Sequence, residues 1–528
     1  MQNITRTFYC DVAVIGGGVG GCAAAIEAAR KGLHVILFEK GCSLGGLATN
    51  GYVPQIAGNI EGICLEFAKR LDSIGQLRQV VAGPYYAVPK AKGLGKKYYR
   101  NPSFEPEYGK LVLEDMVFEA GARVMYDSTL IDTVVEDSRI TKAIFFTKGG
   151  YVAAEAKLYI DSTGDGDLAA LSGVPFEVGG QDFAGLNISS TLGSRWAGAD
   201  LIKYQKAEDD YKAEQIAAGV ENPEMLINKL QKEAIAKGEL ARRVGGPFGF
   251  FRVIIPNTPM DNAEFVTFAF HAYYCHNCDS EDITRQILEQ HQLMKQFHAF
   301  LRKYVPGFEN VRLTGLGSLP GARDSRRIFG EYMLKAEDVV CGNKFEDGIA
   351  RYPEVFDAHH PTSDEKVFLR HVHLTKPSGS AVCEDTHIGH CCDAQMHPFG
   401  VPAGVPARTN PRDYCDIPYR SLVPEKIDNL LCAGRCCSAE FHATGGMRII
   451  GPAMGTGHAA GMAAYVAVTE KLRPRDIDGK RIRQMLIDEG VPLDQAPDGY
   501  WAEVAATKGR IFINPGDIAV ILADEDQD

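Results

Sequence analysis

Apolar residues fall in three kinds of run along this chain. Tyr9–Ile15 is rich in β-branched residues and too short for a helix, so it predicts a buried strand. Cys22–Arg30 is a run of small residues stopped by Gly32, and it predicts a helix. Leu33–Phe38 reads as a second buried strand ending in Glu39. Further on, a helix is predicted near 106–120. Apolar positions then alternate with polar ones in VMYDSTLIDTVV and ITKAIFF, predicting a β-meander near 122–160. Lys157–Asp161 and Asn429–Cys432 read as short strands, and Ala263–Phe270 as an alternating one. Asp200–Leu240 and Asp282–Tyr304 are charged with helical spacing, and His458–Val468 predicts a small-residue helix. From 471 onward come a helical pair and an apolar, strand-like end, Ile518–Leu522.

Between the first strand and the first helix stand Gly16, Gly18 and Gly21. Strand, glycine turn, helix, strand and a closing acidic residue form the unit that binds a dinucleotide. Gly16 allows the tight turn, Gly18 lets the pyrophosphate touch backbone, and Gly21 lets helix pack on strand. Val19 and Gly20 open the helix N-terminus towards the phosphates, and Glu39 suits a ribose diol.

The loop after Glu39 separates FAD from NAD. Lys40, Gly45, Gly46, Leu47 and Thr49 belong to a second glycine-bearing loop, of the kind that glutathione-reductase-type flavoproteins use to line the diphosphate. Thr163, Gly164 and Asp165 follow a strand end, where small residues permit close passage of a cofactor. Gly434 and Arg435 follow another. Gly455 and Thr456 lie in a glycine-rich helix entrance with Pro452, whose dipole suits the flavin pyrimidine. These residues form the expected FAD site. No second strand–GxGxxG unit follows, so electrons are expected to pass through the substrate or an external donor or acceptor.

The chain has 528 residues, which calls for more than one domain. The expected fold is α/β: a discontinuous Rossmann-like FAD-binding domain of glutathione-reductase type (1–175 and 412–470), an inserted α+β substrate or capping domain (176–411) and a tail (471–528). A net charge of −12 argues against nucleic acid as a partner. No apolar stretch is long enough to span a bilayer. A strand beginning at residue 9 leaves no room for a signal peptide, so a cytoplasmic location is expected. The 14 cysteines then read as mostly reduced thiols. Cys275/Cys278, Cys391/Cys392 and Cys436/Cys437 lack the second compact pair that a metal site needs, so no metal is expected. The His/Cys-rich stretch 371–415 keeps that alternative open.

Six segments carry a resemblance: GGGVGGCAAAIEAARKG, LGGLATNG, YIDSTGDGDLAALSGVPFE, LPGARDSRRIFGEYMLKAEDV, the long run from IPYRSL to GHAAGMAA, and IRQMLIDEGVPL. Spanning about residues 10–495, the chain resembles the FAD-dependent oxidoreductases related to the fumarate reductase and succinate dehydrogenase flavoproteins. Respiratory members commonly carry a histidine bonded to the flavin. Here Ala48-Thr49 stands near that loop, which implies non-covalent FAD.

Three residues are the expected catalytic set. His442 and Arg448 lie between the Gly434 turn and the helix entrance, where the chain crosses the flavin region; a histidine suits proton transfer near neutral pH. Arg326 is preferred within Arg323–Arg327, because a guanidinium clamps paired oxygens; the alternative is an ion-pair cluster anchoring the insert. Tyr419 reads as a donor to substrate or a satisfied core tyrosine. His359, His360, His371 and His373 read chiefly as structural. The expected function is hydride transfer between flavin N5 and a small polar molecule, at a C=C beside a carbonyl or carboxylate, or at a carbinol carbon. The alternatives are a flavoenzyme modifying a macromolecule such as tRNA, and a non-catalytic flavin-binding protein.

Overall fold

A computed structural model describes residues 3–58, 60–78, 102–221, 223–242, 244, 253–341, 343–352, 355–362, 367–371, 374–375, 381–382 and 415–494. The predicted strand–helix–strand unit is present: β1 (Ile4–Ile15), α1 (Val19–Arg30) and β2 (Val35–Phe38). Strand β1 starts earlier than the apolar pattern suggests, because it pairs in parallel along its length with β6 (Gly150–Asp161). Leu33 is still bonded to the Ala28 carbonyl as α1 ends, so β2 begins late. Next come α2 (Pro106–Glu119), β3 (Arg123–Met125), β4 (Thr129–Glu136) and β5 (Arg139–Thr147). Pro106 opens α2 at a position where the missing N–H costs nothing.

The main sheet runs β3–β2–β1–β6–β5–β4. Its first four strands are parallel, and the meander β4–β5 is antiparallel. The far end of β6 instead pairs in parallel with Leu430–Cys432, so the chain returns late to complete the sheet. Ile15 is level with Phe38 and Asp161, and Asp161 is level with Cys432. Four strands therefore end on one line, and the loops that follow them emerge together. In open α/β sheets ligands bind at such carboxyl ends.

A second core forms around a small antiparallel sheet: β7 (Ser194–Ala199), β8 (Val253–Ile254), β9 (Ala263–Thr267) and β10 (Arg312–Leu316), in the order β8–β9–β7–β10. The helix α3 (Ser280–Tyr304) covers it. Trp196, Phe265, Phe270, Phe297 and Phe308 are buried there together. The charged stretch 200–240 is two helices, Leu201–Ala217 and Leu226–Ala236, split after Gly219.

The main core recruits residues beyond the expected first domain. Ile328, Leu334, Ile349 and Tyr352 pack in it, and so do Ile477, Ile482, Leu486 and Leu493 of the tail. The reason is local: Gly348–Tyr352 pairs antiparallel with Cys415–Pro418 and lies against the long helix α4 (Ile450–Glu470). Helix α4 is longer than His458–Val468. Pro452 falls in its first turn, where an N–H has no helical partner anyway. Among the described residues no helix is long and apolar enough to cross a membrane.

Candidate cofactor and active site

The glycines divide by what surrounds them. A Cβ on Gly16 (φ +97°) would stand 2.4 Å from the Ser162 carbonyl oxygen, and one on Gly21 1.9 Å from that of Gly16. Gly20 faces Ala453, the Ser162 hydroxyl and Gly434. Gly18 differs: its Cβ would find nothing nearer than 3.9 Å. Gly16, Gly20 and Gly21 are thus filled by protein, while Gly18 opens on space at the N-terminus of α1. Val19 is the first residue of that helix.

Glu39 accepts from the backbone N–H groups of Gly17 and Gly41, each at 2.7 Å. One carboxylate oxygen goes to each, which fixes its plane and leaves each oxygen a further lone pair. Lys40 beside it is exposed. Gly45 pairs with Gly18 as an isolated bridge, and both Gly45 and Gly46 have positive φ, so the second loop lies directly on the first. Thr49 is buried and donates to the Leu44 carbonyl at 2.6 Å. Its hydroxyl therefore shapes the loop. Leu47 is half-buried, and its carbonyl accepts from Val53.

Asp161 ends β6 fully buried. Its carboxylate accepts from the Thr163 N–H and hydroxyl and from the Ala169 N–H. Burial pushes it up to about 6, against the pull of those hydrogen bonds. Thr163 in turn accepts from the Asp167 N–H. Gly434 has a positive φ and donates to the Thr456 hydroxyl at 3.0 Å; Gly455 lies against Ala350. In the first turn of α4 the Gly451 N–H is taken by the Ala57 carbonyl.

The arginine-rich segment 323–327 forms the seam between the two cores. Arg326 bonds the Asp167 carboxylate at 2.7 Å and the Asp165 carbonyl at 3.0 Å. Asp165 also accepts from Ser325 at 2.6 Å and Arg435 at 2.7 Å, and Arg435 reaches the Ala322 carbonyl. Gly164 lies under the Arg435 guanidinium. Arg323 donates to the Ser189 carbonyl. Gly321 makes this approach possible, since a Cβ there would overlap the Thr191 carbonyl.

His442 is buried against Phe441, with ring centroids 5.2 Å apart, and against Phe183 from the insert, 6.3 Å away. His360 meets the same Phe183 edge-on at 5.1 Å, and its Nδ1 accepts the Thr362 N–H. Aromatic and imidazole rings from two parts of the chain thus meet at one spot. Arg448 is half-buried at the end of the short helix Thr444–Met447. Tyr419 is a core residue whose hydroxyl donates to the Pro474 carbonyl at 2.8 Å. His359 and His371 lie on the paired strands Val355–His359 and Val367–His371. His373, Cys391, Cys392 and Ile518–Leu522 lie outside the described residues.

Cys275 is buried and Cys278 exposed, and neither is in a disulfide. Among the described residues, Asp161–Cys432–Cys436 and Glu27–His458–Glu489 bring metal-ligating atoms close together. In the first, Cys436 and burial hold the Cys432 thiol well above its ordinary range, and the carboxylate is engaged by the Thr163 and Ala169 donors.

A family model for FAD dependent oxidoreductases matches residues 11–486. The chain belongs to that family. Membership assigns FAD as cofactor and oxidoreductase as enzyme class. Curated relatives match only locally. The chain is 44% identical over 57 residues to mitochondrial dihydrolipoyl dehydrogenase of Caenorhabditis elegans, covering 11% of the chain and 12% of that protein. It is 49% identical over 57 residues to dihydrolipoyl dehydrogenase of Chlorobaculum parvum, with the same shares. Similar solved structures include a geranylgeranyl bacteriochlorophyll reductase-like protein of Thermoplasma acidophilum (14% identity, TM-score 0.43, covering 92% of this chain and 84% of that one). A p-nitrophenol 4-monooxygenase of Pseudomonas putida gives 10% identity and a TM-score of 0.38, covering 95% and 93%.

The residues present fit FAD. Open space at Gly18, an oriented Glu39 carboxylate and a second glycine loop laid on the first are what a dinucleotide diphosphate and ribose require. Three contributors to this region were not among the expected site residues. Ser162 lines both Gly16 and Gly20, Asp161 caps the loop that follows β6, and Arg327 lies buried in the seam. Asp161 carried a signal in the sequence, an acidic residue closing a buried strand; Ser162 and Arg327 carried none that separated them from their neighbours.

Proposed function

We propose that this oxidoreductase moves a hydride between N5 of non-covalently held FAD and a carbon of a small polar organic molecule, at a C=C beside a carbonyl or carboxylate or at a carbinol carbon. In this reading the nucleotide domain is of glutathione-reductase type, related to the fumarate reductase flavoproteins, and electrons are exchanged with an external donor or acceptor. Nucleic acid and membrane have no part in it. The observation that carries the reading is the meeting of His442, Phe441 and Phe183 where the returning chain faces the insert. Ligand sites favour such junctions. His442 is the proton-transferring group, half-enclosed by apolar rings that exclude water. Arg448 holds a substrate oxygen from the same segment. Arg326, tied to Asp167 and Asp165, acts by positioning the loop after β6.

The test is anaerobic titration of the holoprotein. Small alcohols and hydroxy acids are screened for bleaching of the oxidised flavin, and enoates for reoxidation of the reduced flavin. At least one substrate class should react. The His442→Asn variant should then react about 10²–10⁴-fold more slowly at unchanged FAD content. Full reactivity in that variant would remove His442 from the chemistry.

A further inference from the structure

We propose that Arg327 binds a carboxylate, or an equivalent paired-oxygen anion, of the substrate. This rests on the functional reading above for the identity of the ligand as substrate, and otherwise on the guanidinium itself. Arg327 is 1% exposed. Its Nη2 donates to the Gly179 carbonyl at 2.7 Å and to Glu177 at 3.2 Å. Among the described residues its Nε and Nη1 have no hydrogen-bond acceptor. The nearest carboxylate to Nη1 is Asp324, at 3.7 Å, too far to accept a hydrogen bond. That carboxylate is already committed, one oxygen to Asn187 and the other to the Ile188 N–H.

A guanidinium has five N–H donors, and here the three on Nε and Nη1 are buried without acceptors. Nη2 spends its hydrogens on Gly179 and Glu177, so each forked edge keeps one unused donor, Nε on one edge and Nη1 on the other. Leaving buried donors in this state is costly, and charged ones more so. A carboxylate oxygen presented to Nε or Nη1 would relieve it, and its second oxygen would complete the fork by displacing the long Glu177 bond at Nη2. The position is also right. The Phe441 ring lies 5.5 Å from the Arg327 guanidinium carbon, and His442 packs on that ring. An anion held by Arg327 would lie beside the aromatic wall that carries the proposed proton-transferring residue. Arg326, the neighbour that sequence alone favours, already has its carboxylate in Asp167.

The experiment is calorimetric titration of FAD-loaded protein with acetate, succinate, fumarate and benzoate. The wild type should bind at least one of them saturably. Arg327→Lys should weaken that binding at least about tenfold, because an ammonium keeps the charge and loses the fork. Arg327→Gln should weaken it further, with FAD content and melting temperature close to wild type in the Lys variant. Should the Gln variant fail to fold, Arg327→Lys alone decides. The assignment is overturned if the wild-type holoprotein binds none of the four, or if Arg327→Lys binds as tightly as wild type. It is also overturned if Arg327→Lys releases FAD, which would make the guanidinium a cofactor ligand, or if Arg326→Gln alone reproduces the loss. A wild-type chain that takes up no FAD would overturn the functional reading and this assignment together, an outcome distinct from all the others.

Discussion

Gly21 makes the strictest demand of any single residue in the nucleotide loop, because any side chain there strikes the Gly16 carbonyl oxygen. Gly21→Ala should therefore separate α1 from β1, lower stability by about 1–3 kcal/mol and abolish FAD retention. The flavin-to-protein ratio and the melting temperature check this. Such positions were legible in the sequence because a glycine records a close approach directly. Arg327 was not legible. Five consecutive residues, Arg323 to Arg327, include three arginines, and nothing local says which one finds Asp167 and which is left with unsatisfied donors; partners 150 residues away decide it. Asp161 gives a pH-dependent prediction. Its folded value of about 6 lies above the ordinary 3.8, so between these values the folded state binds more protons than the unfolded one. Stability should fall as pH rises through that window, by up to about 3 kcal/mol. Thermal unfolding of wild type and Asp161→Asn across it should show a slope that the variant lacks; equal slopes would contradict the assignment.

Between helices, a close contact joins α1 to α4. A Cβ on Gly457 would stand 2.1 Å from the Gly20 carbonyl oxygen, and one on Gly461 2.6 Å from that of Ala24. Gly457→Val should push the two helices apart, cost upwards of about 2 kcal/mol and weaken FAD binding through Gly20; denaturant unfolding and flavin titration measure both. The same two helices share a charged cluster with the end of the helix Gly479–Asp488. His458 lies 3.3 Å from Glu27 and 3.2 Å from Glu489, while Lys31 pairs with both carboxylates. Burial pushes His458 down, but the two carboxylates push it up further, and the net direction is upward from 6.5. Its contribution is complete below pH 6.5 and is lost as pH rises through the folded value. The stability gap between wild type and His458→Gln should therefore narrow on raising the pH from about 6 to about 9. Hydrophobic pattern revealed α4 as a helix of small residues, but placed its start near His458. Pro452 and its neighbouring glycines mark the helix entrance, and the helix starts at Ile450, where Gly451 bonds the Ala57 carbonyl and Pro452 packs on Gly58.

For the whole molecule, two hydrophobic cores meet along a polar seam in which Asp165 receives both Ser325 and Arg435. Asp165→Asn should loosen that seam, and limited proteolysis should then cut the insert faster while the FAD content falls. The late return of Leu430–Cys432 beside the first strands was legible because these strand ends carry glycine turns. The full membership of the main core was not. Ile328, Leu334, Ile349 and Tyr352, with Ile477, Ile482, Leu486 and Leu493, enter the main core through contacts made across the sequence and invisible in local periodicity. Whether these loops hold FAD without a covalent bond is decided by the visible spectrum of the purified protein before and after acid precipitation. Flavin bands should pass into the supernatant, at about one FAD per chain. Colour that stays with the pellet would mean a covalent bond despite Ala48-Thr49, and no flavin even after incubation with FAD would mean that these loops hold no FAD.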